Sequence, residues 1–438
     1  MRVSRRRLLQ GGAIGAASLA APHPIRRALF EARPAFAAPP DAIFVLFQFE
    51  GGNDGLGTVI PTDDVGHPQR TLYDAVRPGI GVPVGALGAT GIGDDPVRGT
   101  GLALHPAMTG LKTLYDQGKV AVINGVAYPG QSLSHFRSED IWFGGLASTA
   151  AFDEGWFGRY LDEQFAPTDL VTVDVDNNLS KNFFNPEVNV LALRNISEFV
   201  VPDDPAFPDL TAKKAALAQA YAAEVSAGAP GSTQLIISTT GDVLLDKIDI
   251  YDPIPTGWAS ALDAVSGRTA RRFKQAASII RYDHLHPGSA TGARFFHVRL
   301  GGFDTHSGQT ANGGLTGRQP ELLDEASRCI KAFYDDMVAI GVSSKVLMIT
   351  QSEFGRRVAQ NGNLGTDHGE ASVLFAIGDP VVGGVYGELP KLDDLSQGNL
   401  KWKIDFRQVY ATVIDDWLGA DHTTILSGGP FTTLPIIA

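Results

Sequence analysis

A single cysteine, Cys329, stands in 438 residues, so no intrachain disulfide can form. Around it, Leu322, Leu323, Ala326, Ile330, Phe333, Met337 and Ile340 recur at helical spacing, which predicts a buried structural thiol rather than a nucleophile. Basic residues are also in deficit: 36 Lys and Arg against 48 Asp and Glu leave a formal charge of −12. That balance makes nucleic acid and anionic membrane poor partners. The chain has no charge run, low-complexity linker or internal repeat to divide it. With 44% hydrophobic residues it can bury a large core, and one elaborated domain over residues 38–438 is expected.

The N-terminus reads as a targeting segment. Arg5, Arg6 and Arg7 precede Leu8 and Leu9, residues 8–21 form a weakly apolar Gly/Ala-rich stretch, and Ala35-Phe36-Ala37 fits a small-x-small cleavage site. Paired arginines before two leucines resemble a twin-arginine export signal spanning residues 1–37, with the export machinery as partner and the periplasm or extracellular space as destination. The apolar stretch falls short of the span of about 20 residues a stable membrane anchor needs. Cleavage removes seven arginines and one glutamate, a net +6, and takes the formal charge from −12 to −18.

Short continuous apolar runs mark buried strands of a parallel sheet. Residues 42–47, 119–123, 294–300, 346–350 and 373–377 have this character, and residues 106–117 between the first two read as a crossover helix. Helices are also expected over residues 258–283, around Cys329, and over 406–418 behind Asp405. Residues 58–106 are Gly/Pro-rich and read as a surface excursion. Residues 150–255 hold strand-like pieces at 170–175 and 188–193, carry no acid/His signature and read as an inserted cap region. The sum predicts an α/β fold, three layers with a mainly parallel central sheet.

Three of these strands run out through glycines into acid or imidazole. The first is followed by Gly51-Gly52-Asn53-Asp54, the third by Gly301-Gly302-Phe303-Asp304-Thr305-His306, and the fourth by Ser352-Glu353 and then Asp367-His368. In an open parallel sheet the carboxyl ends of the strands line one crevice, so Asp54, Asp304, His306, Glu353, Asp367 and His368 could meet there. Mixed carboxylate and imidazole without thiolate suits a divalent ion such as zinc, manganese or calcium, one or two of them. Ser134 stands at the start of a helical segment, where dipole and free N–H groups favour an anion; the same position serves a plain N-cap. Arg356 and Arg357 read as a solvated pair.

GGNDG, SHFRSEDIW, GGFDTH, and SEFGRR followed by GTDHG together resemble the exported DUF1501 family, and more remotely the alkaline phosphatase and sulfatase superfamily. That resemblance implies an alkaline-phosphatase-like fold and a metal-dependent hydrolase of small-molecule or polymer-borne phosphate or sulfate esters. Its metal-binding acids and histidines fall on Asp54, Asp304, His306, Asp367 and His368. It makes Ser134 the nucleophile and lets His135 and Arg137 steady the ester oxygens. The segment around Ser134 lacks the C/S-x-P-S-R signature of a modified sulfatase nucleophile. Two other classes compete: a non-catalytic periplasmic binding protein on a degenerate phosphatase fold, and an SGNH-like esterase, which shares the GxND block but needs a nucleophilic serine ahead of it.

Overall fold

Residues 43–50 explain why the first strand ends up at the centre. In IFVLFQFE every residue but Glu50 is buried; Val45, Phe47 and Phe49 pack into one apolar cluster, and Phe44 and Leu46 into another. A strand apolar on both faces must be covered on both, which calls for two helical layers. The computed structural model describes residues 42–166, 169–176, 179–185, 190–199, 201, 209–227, 245 and 247–438. The export signal expected over residues 1–37 lies outside them. Among the described residues no helix is long and apolar enough to cross a membrane.

The central sheet uses β1 (Ile43–Glu50), β2 (Val120–Ala127), β3 (Thr172–Asp174), β4 (Leu191–Ala192), β5 (Phe295–Gly301), β6 (Val346–Gln351), β7 (Ser372–Ile377), β8 (Gly384–Tyr386) and β9 (Ile404–Asp405). Their order is β8-β2-β7-β6-β1-β5-β3-β4, with β9 beside β2. β1 pairs in parallel with β5 and β6, β5 with β3, and β3 with β4; β7 alone runs against both of its neighbours. The result is the mixed α/β architecture with a mainly parallel sheet that the apolar runs predict.

The principal helices are α1 (Gln69–Val76), α2 (Thr109–Asp116), α3 (His135–Gly144), α4 (Trp156–Gln164), α5 (Arg268–Leu285), α6 (Arg318–Ile340) and α7 (Phe406–Thr412). One face of the sheet is covered by α2, α5 and α6 through residues such as Leu111, Phe273, Leu323 and Phe333. The other is covered by α3, α4 and α7 through Trp142, Trp156, Tyr160, Phe406 and Tyr410. Cys329 sits fully buried on α6, and burial pushes its thiol up to about 12. Helix α5 begins at Arg268, ten residues later than its periodicity suggests. A short 3-10 turn capped by Ser260 occupies Ala261–Ala264, and Gly267 at φ 120 breaks the path between them.

One expectation is corrected. Residues 58–106 are no surface excursion: Val59–Pro61, Gly101–Leu104 and Gly91–Asp94 form a small antiparallel sheet whose Ile60, Leu102, Ala103 and Leu104 are buried. Within residues 150–255, expected as an inserted cap region, α4 packs in the core and β3 and β4 extend the central sheet.

Candidate metal centre

The loops behind β1, β5 and β6 meet because one buried guanidinium holds them. Arg356, 1% exposed, donates to the Gly52 carbonyl (2.8 Å), the Thr366 carbonyl (2.9 Å), the Phe303 carbonyl (3.0 Å), the Gly51 carbonyl, and Oδ1 of Asp304 (2.7 Å). Only arginine has enough rigidly spread donors for this task. Gly51 makes the approach possible: its φ is +120, and a Cβ there would stand 2.5 Å from the Asp304 amide nitrogen. Arg356 is therefore not part of a solvated pair.

Three imidazoles and one carboxylate converge at this junction. His368 Nε2 and His306 Nε2 each lie 3.1 Å from Asp304 Oδ1, and the two nitrogens are 2.9 Å apart. His135 Nε2 lies 3.6 Å from Asp304 Oδ2, and ligand atoms of His135, Asp304 and His368 all fall within 4.8 Å of one another. Around a tetrahedral zinc with bonds of about 2.0–2.1 Å, neighbouring ligand atoms are about 3.3 Å apart. The observed spacings bracket that value. Phe354, buried, keeps the rings in place, its centroid 4.8 Å from that of His135 and 4.4 Å from that of His368.

The outer hydrogen bonds aim the nitrogens. His368 Nδ1 lies 2.7 Å from the Leu133 carbonyl, which can only accept, so Nδ1 carries the proton and Nε2 presents its lone pair. His135 Nδ1 donates to Oε1 of Glu353 at 2.8 Å, and His306 Nδ1 faces Oδ1 of Asp367 at 3.3 Å. Asp367 is in turn held by Asn361 at 3.0 Å. Three of three ring pairs thus direct Nε2 inward, the pattern of metal-bound histidines with carboxylate or carbonyl partners.

The electrostatics of Asp304 and His368 agree. Partial burial works to raise the Asp304 carboxyl, but the hydrogen bond and charge of Arg356 lead the opposing effects, and the group is held down at about 2. Burial lowers His368 and keeps it neutral, as a ligand must be, while the Glu353 hydrogen bond raises His135. Glu353 is 1% exposed; Oε1 also accepts from the Gly51 amide, and Oε2 has no partner among the described residues. Beside it, burial and then the charges of Glu353 and Glu50 push Glu139 up to about 7. Glu353→Gln is expected to weaken divalent-metal binding by about 10–100-fold with the far-ultraviolet circular dichroism unchanged, because His135 loses the anion that orients it. Titration calorimetry with zinc reads this directly.

Sequence-predicted residues that do not join the centre are Asp54 and Arg137. The Asp54 carboxylate is fully buried in a two-pronged ion pair with Arg77 (2.6 and 3.0 Å) and also accepts from Gln309 (2.6 Å). Its lone pairs are spent. Arg137 donates to the Ser148 and Ala150 carbonyls and fastens a loop. Ser134 is exposed at the N-cap of α3, and its hydroxyl makes no capping bond. Glu353 and Asp367 stand one contact out, behind His135 and His306. Arg77 went unseen because it lies in an aperiodic stretch. Arg356 had a signal: a cation beside a strand-ending acid, where three acid-bearing loops need a counter-charge.

No curated protein matches this chain in sequence. Similar solved structures include a protein in the alkaline phosphatase superfamily from Vibrio parahaemolyticus, at 10% identity, covering 91% of this chain and 72% of that one with a TM-score of 0.38. The lipoteichoic acid synthase LtaP from Listeria monocytogenes follows at 8% identity, 92% and 76% coverage and TM-score 0.35. The PsFucS1 sulfatase from Pseudoalteromonas sp. stands at 10%, with 97% and 75% coverage and TM-score 0.37. Residues 288–430, the segment that carries Asp304, His306, Glu353, Arg356, Asp367 and His368, match the family DUF1501, described as a protein of unknown function.

Proposed function

We propose that the chain is an exported hydrolase of phosphate or sulfate esters that works with a divalent metal ion held by His135, Asp304 and His368, with His306 at the rim. The convergence of their ligand atoms, each aimed by an outer hydrogen bond, carries this reading. Two or three imidazoles and a carboxylate fit zinc or manganese; calcium takes six to eight oxygen ligands and fits this set poorly. The ion would supply Lewis-acid polarisation of the ester and offset charge as it develops.

The chain's own residues would do the rest. Arg356 fixes Asp304 in its ionised form, and Glu353 and the Leu133 carbonyl lock the two imidazoles. Ser134 offers an uncommitted hydroxyl next to His135 at the start of a helix, where free N–H groups favour the ester's anionic oxygens. In this reading its oxygen bonds to phosphorus or sulfur as the ester bond breaks and the alcohol leaves; water then releases the serine. Asp54 and Arg137 take no part. Residues 1–37 would deliver the protein through the twin-arginine route to the periplasm or beyond, where the ester is met as a small molecule or on a polymer.

A second reading has one observation behind it. With His306 counted, four protein donors could close a tetrahedral shell and leave no open position, as in a structural or binding site. Metal analysis of the purified protein, together with hydrolysis of p-nitrophenyl phosphate, sulfate and acetate, separates the two. The hydrolase reading expects turnover of the phosphate or the sulfate that stops when metal is stripped and returns when it is restored. Bound metal with no turnover of either contradicts it in favour of the binding reading, and turnover of acetate alone favours an esterase.

A further inference from the structure

Away from the metal centre, the same carboxyl edge of the sheet holds a cavity of about 390 Å³. It opens where β3 and β4 end, reaching Asp176 and Arg194, and its floor is the first two turns of α5 with Arg268, Arg271, Arg272 and Lys274. Five cations face one carboxylate. This is a local reversal in a chain whose formal charge is −12. Asp176 is taken by Arg272 at 2.7 Å and Arg299 at 3.2 Å, and Lys274 pairs with Asp263. Arg194, Arg268 and Arg271 make no ion pair among the described residues.

The arrangement works against the helix that carries it. The N-terminal turn of a helix favours acids, yet the first turn of α5 has none and starts with Arg268. Arg268 also stands three and four residues before Arg271 and Arg272, spacings at which like charges repel on a helix. Both costs reverse sign when an anion enters the cavity. Guanidinium groups bind tetrahedral oxyanions through paired N–H donors, and the volume lies within the range of small-ligand pockets.

We infer that this cavity is a binding site for a small molecule bearing phosphate or sulfate groups, independent of the metal centre. Parallel strands end at both sites, so the anion pocket lies two strands from β1, across β5, on the edge where open α/β sheets take their ligands. The inference stands whether or not the protein hydrolyses esters.

The test is titration calorimetry of the full chain, dialysed free of metal, with inorganic pyrophosphate, sulfate and succinate. One pyrophosphate per chain is expected to bind, with affinity that falls as salt rises. Sulfate should bind more weakly, as it bears one tetrahedral group. Arg268→Gln/Arg271→Gln should weaken pyrophosphate by about 10–100-fold, as loss of charge-assisted bonds does. Lys112→Gln/Arg328→Gln removes two cations elsewhere and should change nothing. If the first double variant does not fold, Arg194→Gln, which leaves the helix intact, is read in its place and should also weaken binding. Absence of pyrophosphate binding, equal losses in both double variants, or succinate binding as tight as pyrophosphate would each overturn the inference.

Discussion

His368→Ala is expected to abolish binding at the proposed metal site: zinc affinity should fall by more than about 100-fold, beyond the 10–100-fold that loss of an outer partner costs. His368 Nε2 is in contact with both Asp304 Oδ1 and His306 Nε2, and its loss removes one of the three groups whose ligand atoms lie together. The alanine also frees the Leu133 carbonyl, which water can satisfy because the residue is only partly buried. The fold should therefore survive, since His368 contributes one position to a two-residue strand pair with Arg356 and nothing to the central sheet. Hydrolysis, in the reading proposed above, disappears together with the metal. Calorimetric zinc titration beside a thermal melt checks both halves: retained affinity would contradict the site, whatever the enzyme does.

Arg77→Met is expected to destabilise the protein by about 3–5 kcal/mol, the cost of leaving one charge of a buried pair alone. Arg77 and Asp54 are 2% and 0% exposed, and the guanidinium also donates to the Val358 carbonyl at 2.8 Å, tying the small antiparallel sheet region to the loop after β6. Asp54→Asn/Arg77→Met should recover most of the loss, because no charge is then buried and the Gln309 amide keeps an acceptor. The pH dependence has a definite sign. Burial raises the Asp54 carboxyl, but Arg77 and the Gln309 bond more than reverse this, so its folded value lies below the ordinary 3.8. A carboxylate lowered on folding contributes stability that is fully present above 3.8 and is lost as pH falls through the folded value. Urea unfolding of wild type across acid pH should show that loss, and the double variant should lack it. The double variant should still bind metal normally, which separates a structural Asp54 from a ligand.

Asp54 also shows where sequence reading runs out. An acid that follows a buried strand and two glycines looks the same whether it meets a cation from solution or a guanidinium from residues 58–106. Those residues are too rich in glycine and proline for periodicity to reveal the strands Val59–Pro61 and Gly101–Leu104, so Arg77 had no visible place. Asp304, His306 and His368 were legible because each follows a strand with a long apolar signature, β5 or β6, that could be set beside β1. His135 was legible as a site residue but not in its role. What sets its role is the contact of Nδ1 with Glu353, 218 residues away, and spacing along the chain carries no trace of that. β3 and β4 fall inside the strand-like runs 170–175 and 188–193, but segments of three and two residues carry no pattern that would place them at the end of the central sheet.

The proposed function depends on a divalent cation among His135, Asp304 and His368. Crystals grown with zinc and measured on both sides of the zinc absorption edge test it most directly. One anomalous peak is expected about 2.0–2.2 Å from Nε2 of His135, Nε2 of His368 and the Asp304 carboxylate. A peak bound elsewhere, or none at saturating zinc, would contradict it.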